Sequence, residues 1–286
     1  MPIVVRDMDF SYSGQVVIRG ADASFDEGLI HLVLGATGSG KTTLALMLAG
    51  LLKPDRGSVT VDGCDPASDR FERSRLQLAF QFPEVQIFET TVEREIEYGL
   101  KNFGFTPGEM AERREWAIDC VGLPRTLLPR DPGEISFGER RKVALASVIA
   151  LKPQYLILDE PLAGLDWHGR KNLVGTILRL KDEGVTTLVL THEADLIAEL
   201  GDAVSLMRDG CLEGPVPPEI FLSSSELPSP SESRASTENL GCTILPEFIL
   251  TLHKLRSSGY AIEATPRCIE DVAEAVIRAL GLRQPC

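Results

Sequence analysis

The chain has 286 residues and a mass of 31.2 kDa, with 43% hydrophobic and 25% charged residues. That length allows one large domain with an appendage or two modest ones, and that composition excludes wholesale disorder and fibrous repeats. The formal net charge of -13 argues against broad, salt-driven binding to nucleic acid or anionic lipid, so any anion site must be local.

The opening segment MPIVVRDMDF has no basic region followed by an apolar stretch, so no secretory signal is read there. From Ile3 to about Leu212 short β-branched runs alternate with longer helical patterns, the layout of an α/β domain with a largely parallel sheet. Expected strands are Ile30 to Leu34, Leu76 to Gln81, Tyr155 to Leu158 and Thr186 to Thr191. Expected helices are Lys41 to Leu52, Glu139 to Ala150 and His168 to Glu183. Between Pro83 and Asp131 the pattern turns helical, polar and strand-free, which suggests a helical subdomain inserted at about 83–152. Ser223 to Thr237 is dense in Ser and Pro and reads as flexible, inside a linker placed at 216–240. Apolar residues then recur at helical spacing over Pro246 to Leu255 and Ile269 to Leu280, implying a small module at 241–286 behind a main domain at 1–215. No run approaches the roughly 20 apolar residues that span a bilayer, so a membrane role needs a partner. The six cysteines contain no C-x-x-C pair, which fits reduced thiols in the cytosol rather than a zinc ribbon.

The strongest motif is Gly35-Ala36-Thr37-Gly38-Ser39-Gly40-Lys41-Thr42, which fits G-x-x-x-x-G-K-S/T and lies between a buried strand and a helix opening with Thr43. Such a loop turns consecutive backbone N–H groups inward as an anion nest, and the next helix aims its positive end at the phosphates. Lys41 is expected to reach the β- and γ-phosphates of ATP, and Thr42 to meet Mg²⁺. Tyr155-Leu-Ile-Leu-Asp-Glu160 is an apolar strand ending in two carboxylates, the Walker B pattern. Asp159 would hold the Mg²⁺ shell and Glu160 would act as general base on the attacking water.

Together these motifs resemble the nucleotide-binding domain of ABC ATPases, from about residue 3 to residue 212. The fold implied is α/β, a P-loop NTPase of ABC type with a mixed core sheet. Gln81 matches the family's Q-loop residue, implied to reach Mg²⁺ and the attacking water. Ile135-Ser136-Phe137-Gly138-Glu139 occupies the position of the L-S-G-G-Q signature, whose Ser136 and Gly138 would face a γ-phosphate held by a partner subunit. Ser136 and Glu139 also form S-x-x-E, a helix capping box, and the two readings are compatible. Asp166 matches the D-loop aspartate at the dimer interface, and His192 the switch histidine. Tyr12 matches the aromatic that stacks on adenine, although alternating apolar residues there also suit an edge strand, and Phe10 reads as core.

Phe80-Gln-Phe-Pro-Glu-Val-Gln-Ile-Phe88 is similar to the segment that follows the Q-loop in energy-coupling factor (ECF) transporter ATPases, and LPEFILTLHKLRSSG resembles their carboxy-terminal dimerising extension or a generic helical tail. This resemblance implies a peripheral ATPase on the cytoplasmic face of the membrane. It would work in a homo- or heterodimer with a second ATPase subunit, a transmembrane coupling subunit and a substrate-binding membrane protein, importing a vitamin or a transition-metal ion such as cobalt. Gln86 would lie near the groove for the coupling helices. Phe137 and Glu139 depart from the signature, which suggests a pair formed with a different ATPase. The alternative is a soluble ABC ATPase acting on DNA or ribosomes. The short stretch between Lys41 and Ser136, the single cassette and the acidic balance speak against it, and no nucleic-acid partner is expected.

Overall fold

The computed structural model describes residues 2–223. In chain order these form β1 (Ile3–Tyr12), β2 (Gln15–Phe25), β3 (Ile30–Leu34), α1 (Lys41–Leu48), β4 (Arg56–Val61), β5 (Leu76–Ala79), α2 (Val92–Asn102), α3 (Pro107–Val121) and α4 (Phe137–Ile149). They continue with β6 (Tyr155–Asp159), α5 (Trp167–Asp182), β7 (Thr186–Thr191), α6 (Leu196–Glu199), β8 (Ala203–Arg208), β9 (Cys211–Val216) and α7 (Pro218–Ser223).

Six strands form the main sheet in the order β5-β6-β7-β3-β8-β9, parallel except for β9 at the edge. Both faces are covered. Leu156 and Leu158 of β6 join a core with α2, α3, α4 and α5, while Tyr155 and Ile157 join a second core with α1. This two-sided burial explains why β3, β6 and β7 read as nearly unbroken apolar runs. The second core is closed by an antiparallel sheet, β2-β1-β4, of which the sequence suggested only an edge strand around Tyr12. Its pairing is interrupted between Val5 and Met8, between Met8 and Phe10 and again next to Phe10, and Asp7 has a φ of 42°. Bulges of this kind break the period-two alternation by which strands are recognised.

Several boundaries move. Helix α1 ends at Leu48 rather than Leu52, and Gly50 follows at φ 69°, where an added Cβ would lie 2.3 Å from the Pro66 carbonyl oxygen. The chain must turn there, and only glycine fits that approach. Strand β5 stops at Ala79, so Gln81 stands beyond the strand and does not end it. Helix α4 starts at Phe137, two residues earlier than expected, because Ser136 caps it. Residues 83–152 hold short 3-10 turns, α2, α3 and α4, and no strand. The linker placed at 216–240 begins too early. Val216 still belongs to β9, and Pro218–Ser223 is helical with Phe221 buried in the core. The rest of that segment and the module at 241–286 lie outside the described residues.

Candidate nucleotide site

Parallel strands put the decisive residues on one sheet edge. Leu34 pairs with Thr191 and Asp159 with Leu190, so β3, β6 and β7 end at the same level. The loop 35–40 leaves β3, Glu160 follows β6, and His192 follows β7, which lies between the other two strands. Open α/β sheets bind ligands beyond such carboxyl ends. Two backbone bonds fix the level, from Gly35 N to Thr191 O (3.2 Å) and from Glu160 N to Leu190 O (2.8 Å).

Lys41 is 5% exposed, and its Nζ donates to the carbonyls of Gly35 (2.7 Å) and Ala36 (3.1 Å) and pairs with Glu160 Oε1 at 3.1 Å. Glu160 Oε2 meets His192 Nδ1 at 2.9 Å. Glu160 also holds a φ of 46°, the left-handed region that costs a non-glycine residue free energy and recurs at functional sites. Thr42 Oγ1 donates to Asp159 Oδ2 at 2.7 Å. Asp159 is 2% exposed and its Oδ1 has no hydrogen-bond partner. Burial, reinforced by Glu160, pushes its carboxyl above the ordinary value, against the pull of Thr42 and Lys41.

Thr37, Gly38, Gly40, Lys41, Thr42 and Thr43 line a cleft together with Gln81, Glu160 and His192. Val17 of β2 also lines it and was not singled out from sequence. Gly35 presses against the neighbouring strand, where a Cβ would meet the Met207 carbonyl oxygen at 2.4 Å. Ser39 Oγ is buried without a partner.

The other expected residues stand apart from this cleft. Tyr12 ends β1, is exposed, and packs edge-on against buried Phe10 at 4.8 Å. Ser136 caps α4: its Oγ accepts from Glu139 N (3.3 Å), and its own N and Oγ donate to Glu139 Oε2 at 2.8 and 2.6 Å. The Ser136 hydroxyl and amide hold the Glu139 carboxyl below its ordinary range. Gly138 lies in the first turn of α4 beside exposed Phe137. Asp166 caps α5 by accepting from Gly169 N at 2.8 Å.

Two arginines, Arg141 buried and Arg170 half-buried, escaped the sequence reading. Arg141 of α4 donates to the carbonyls of Pro161 and Ala163, bracing the turn between Glu160 and Asp166. Arg170 of α5 binds carboxylates that follow His192. Neither pairing has a sequence signature, because the partners lie 20 or more residues apart.

A family model described as "ABC transporter" matches residues 18–163. An "Energy-coupling factor transporter ATP-binding protein EcfA2" from Caldanaerobacter subterraneus is 33% identical over 292 residues, covering 98% of this chain and 98% of the relative. A "Putative ABC transporter ATP-binding protein" from Pyrococcus horikoshii is 42% identical over 214 residues, 74% of this chain and 82% of the relative. Among solved structures, cbiO1 from Clostridium perfringens, described as part of the ABC transporter complex cbiONQ, superposes with a TM-score of 0.68 at 26% identity, covering 87% of this chain and 98% of that one. Sequence, sheet order and edge geometry agree, and the chain belongs to the ABC transporter family as one of its ATP-binding, ATP-hydrolysing cassettes.

Proposed function

We propose that this chain powers ECF-type uptake of a vitamin or a transition-metal ion such as cobalt. The observation that carries the reading is its 33% identity, over nearly the full length of both chains, to a protein named as an energy-coupling factor transporter ATPase. The cbiO1 neighbour, named as part of a transporter complex, supports the same direction. Among the described residues no helix is long and apolar enough to cross a membrane. On this reading the cassette acts from the cytoplasmic face, on a transmembrane coupling subunit and a substrate-binding membrane protein, and its main domain runs to at least Ser223.

The chemistry assigned to the site is hydrolysis of the γ-phosphate. The loop 35–40, Lys41 and Thr43 bind the phosphates, Tyr12 stacks on adenine, and Glu160 takes the proton of the attacking water. His192 orients that carboxylate, and Gln81, which lines the same cleft, reaches the water. Mg²⁺ fits the residues present. Thr42 and the unpartnered Asp159 Oδ1 are hard oxygen donors, with Gln81 lining the same cleft. Among the described residues no three His, Cys, Asp or Glu side chains converge into a cage of their own. Magnesium suits such a place, since it takes one or two carboxylates and draws its other ligands from phosphates and water. When bound, it neutralises charge that develops on the phosphate oxygens.

Ser136, Gly138 and Asp166 lie away from the cleft and serve the nucleotide of a second ATPase subunit. Phe137 and Glu139 make the lent half unlike the family pattern, which favours a heterodimer.

Co-purification from membranes, with ATPase assays of wild type and Glu160→Gln, tests the reading. The variant is expected to bind ATP and hydrolyse it at least about a hundredfold more slowly. Near-normal turnover sinks the general-base role. Isolation with ribosomes or DNA instead of membrane subunits overturns the transport assignment.

A further inference from the structure

Arg170 lies in the first turns of α5, 16% exposed, with its guanidinium facing three carboxylates. It donates to Glu193 and to Asp195 Oδ2 (2.6 Å), and Glu199 Oε1 lies 3.5 Å away. The acids are themselves only 20–22% exposed. A charge is tolerated at such depth when acceptors face it, and here both terminal nitrogens of the guanidinium have them, while the buried Nε has none. Nothing in the phosphate chemistry uses these four side chains, yet the three acids, at 193, 195 and 199, lie just downstream of His192 in the chain.

That position has a mechanical consequence. On its sheet side the turn after β7 is tied by Glu193 N donating to Thr191 Oγ1 at 3.1 Å. On its other side Arg170 holds Glu193 and Asp195 against α5, the helix that Asp166 caps. Between these two anchors stands His192, whose Nδ1 lies 2.9 Å from Glu160.

We propose that Arg170 is a positioning residue for ATP hydrolysis, clamping the 192–195 turn to α5 and so holding His192 at hydrogen-bonding distance from Glu160. The proposal rests on the roles given above to Glu160 and His192. Without the guanidinium, three neighbouring carboxylates repel one another and the turn opens. A small displacement of a catalytic pair is costly even when the fold survives.

The test uses the full-length chain with Arg170→Met, Arg170→Lys, His192→Ala and the double variant R170M/H192A. Arg125→Met is the control, because that exposed guanidinium also binds two carboxylates, Glu115 and Asp119, away from the cleft. Arg170→Met is expected to lower kcat by at least about tenfold while KM for ATP stays within about twofold. Arg170→Lys recovers part of the loss, and Arg125→Met leaves kcat unchanged. In the His192→Ala background, Arg170→Met changes kcat by less than about twofold, since the group it positions is gone. If Arg170→Met does not fold, Glu193→Gln supplies the perturbation and is expected to show the same dependence on His192. A normal kcat in Arg170→Met beside a crippled His192→Ala overturns the clamp alone. An equal fall with and without His192 overturns it as well. An unaltered kcat in His192→Ala overturns the role of His192, and the clamp falls with it.

Discussion

Replacing Asp159 with Asn separates what the nucleotide site costs the fold from what it does. Asp159 is 2% exposed, one oxygen accepts from Thr42, and the other has no donor. Burial, the largest influence, raises its carboxyl above the ordinary 3.8, so the folded chain holds this proton more tightly than the unfolded chain does. Stability from this group therefore falls as pH rises from 3.8 through the raised value of the folded chain. A buried acceptor without a donor costs about 1–3 kcal/mol. Asn keeps the Thr42 bond and loses the charge, but leaves its own amide unpartnered, so the expected net gain is about 1 kcal/mol, or roughly 2–4 °C in Tm. Urea and thermal unfolding in EDTA at neutral pH read the gain, which shrinks as pH is lowered toward 3.8 and the wild-type carboxyl takes up its proton. Mg²⁺ with ATP then stabilises wild type by mass action and the variant much less, and hydrolysis in the variant collapses. An Asn variant less stable than wild type in EDTA refutes the reasoning. The carboxylate would then be held favourably by Lys41 and Thr42, and its orphaned oxygen would be no argument for a cation.

Gly35→Ala places a methyl 2.4 Å from the Met207 carbonyl oxygen and 2.7 Å from Ser39 Oγ, so the phosphate loop must shift. ATP affinity, read with a fluorescent nucleotide, is expected to drop at least about tenfold, the equivalent of 1.4 kcal/mol; wild-type affinity would count against the loop's role. Ser136→Ala removes the cap of α4 and is expected to cost about 1 kcal/mol in urea unfolding at neutral pH. Glu139, held below its ordinary 4.5 by Ser136, contributes stability that is fully present above that value and lost as pH falls through the lowered one. The deficit of the Ala variant therefore narrows in acid, and a deficit independent of pH would assign the loss to something other than the capping pair.

The phosphate loop, Asp159 and His192 were legible because each follows an apolar strand, and parallel strands of similar length deliver their ends to one edge. The capping box was legible for a local reason, since its two members lie three residues apart. What escaped depends on contacts between distant segments. Val17 reaches the cleft from β2, Arg141 braces the turn after Glu160 from another helix, and Arg170 gathers acids from beyond β7. The left-handed backbone of Glu160 is equally invisible in sequence, because side-chain type does not announce strain. Beyond the edge strand suggested around Tyr12, the antiparallel sheet was missed because its bulges interrupt the alternation that marks a strand.

The arrangement around Lys41 carries one more consequence for Glu160→Gln. An ammonium has three donors, and Nζ has three chain oxygens within reach, on Gly35, Ala36 and Glu160. An arriving phosphate must therefore compete for a cation that is already satisfied, and among the described residues the carboxylate ion-paired with it is Glu160. Gln at 160 keeps an oxygen there but removes the charge, which weakens the competitor without disturbing the loop. The variant should bind ATP more tightly than wild type, by about threefold to tenfold for a net change of about 1 kcal/mol in the competition for Lys41, while hydrolysing it more slowly. Equilibrium titration with a nucleotide analogue measures this directly. Weaker binding in the variant would mean that Glu160 supports the bound nucleotide and does not oppose it. Tighter binding would mean that one event, the transfer of Lys41 from carboxylate to phosphate, both seats the nucleotide and releases the base that attacks it through water.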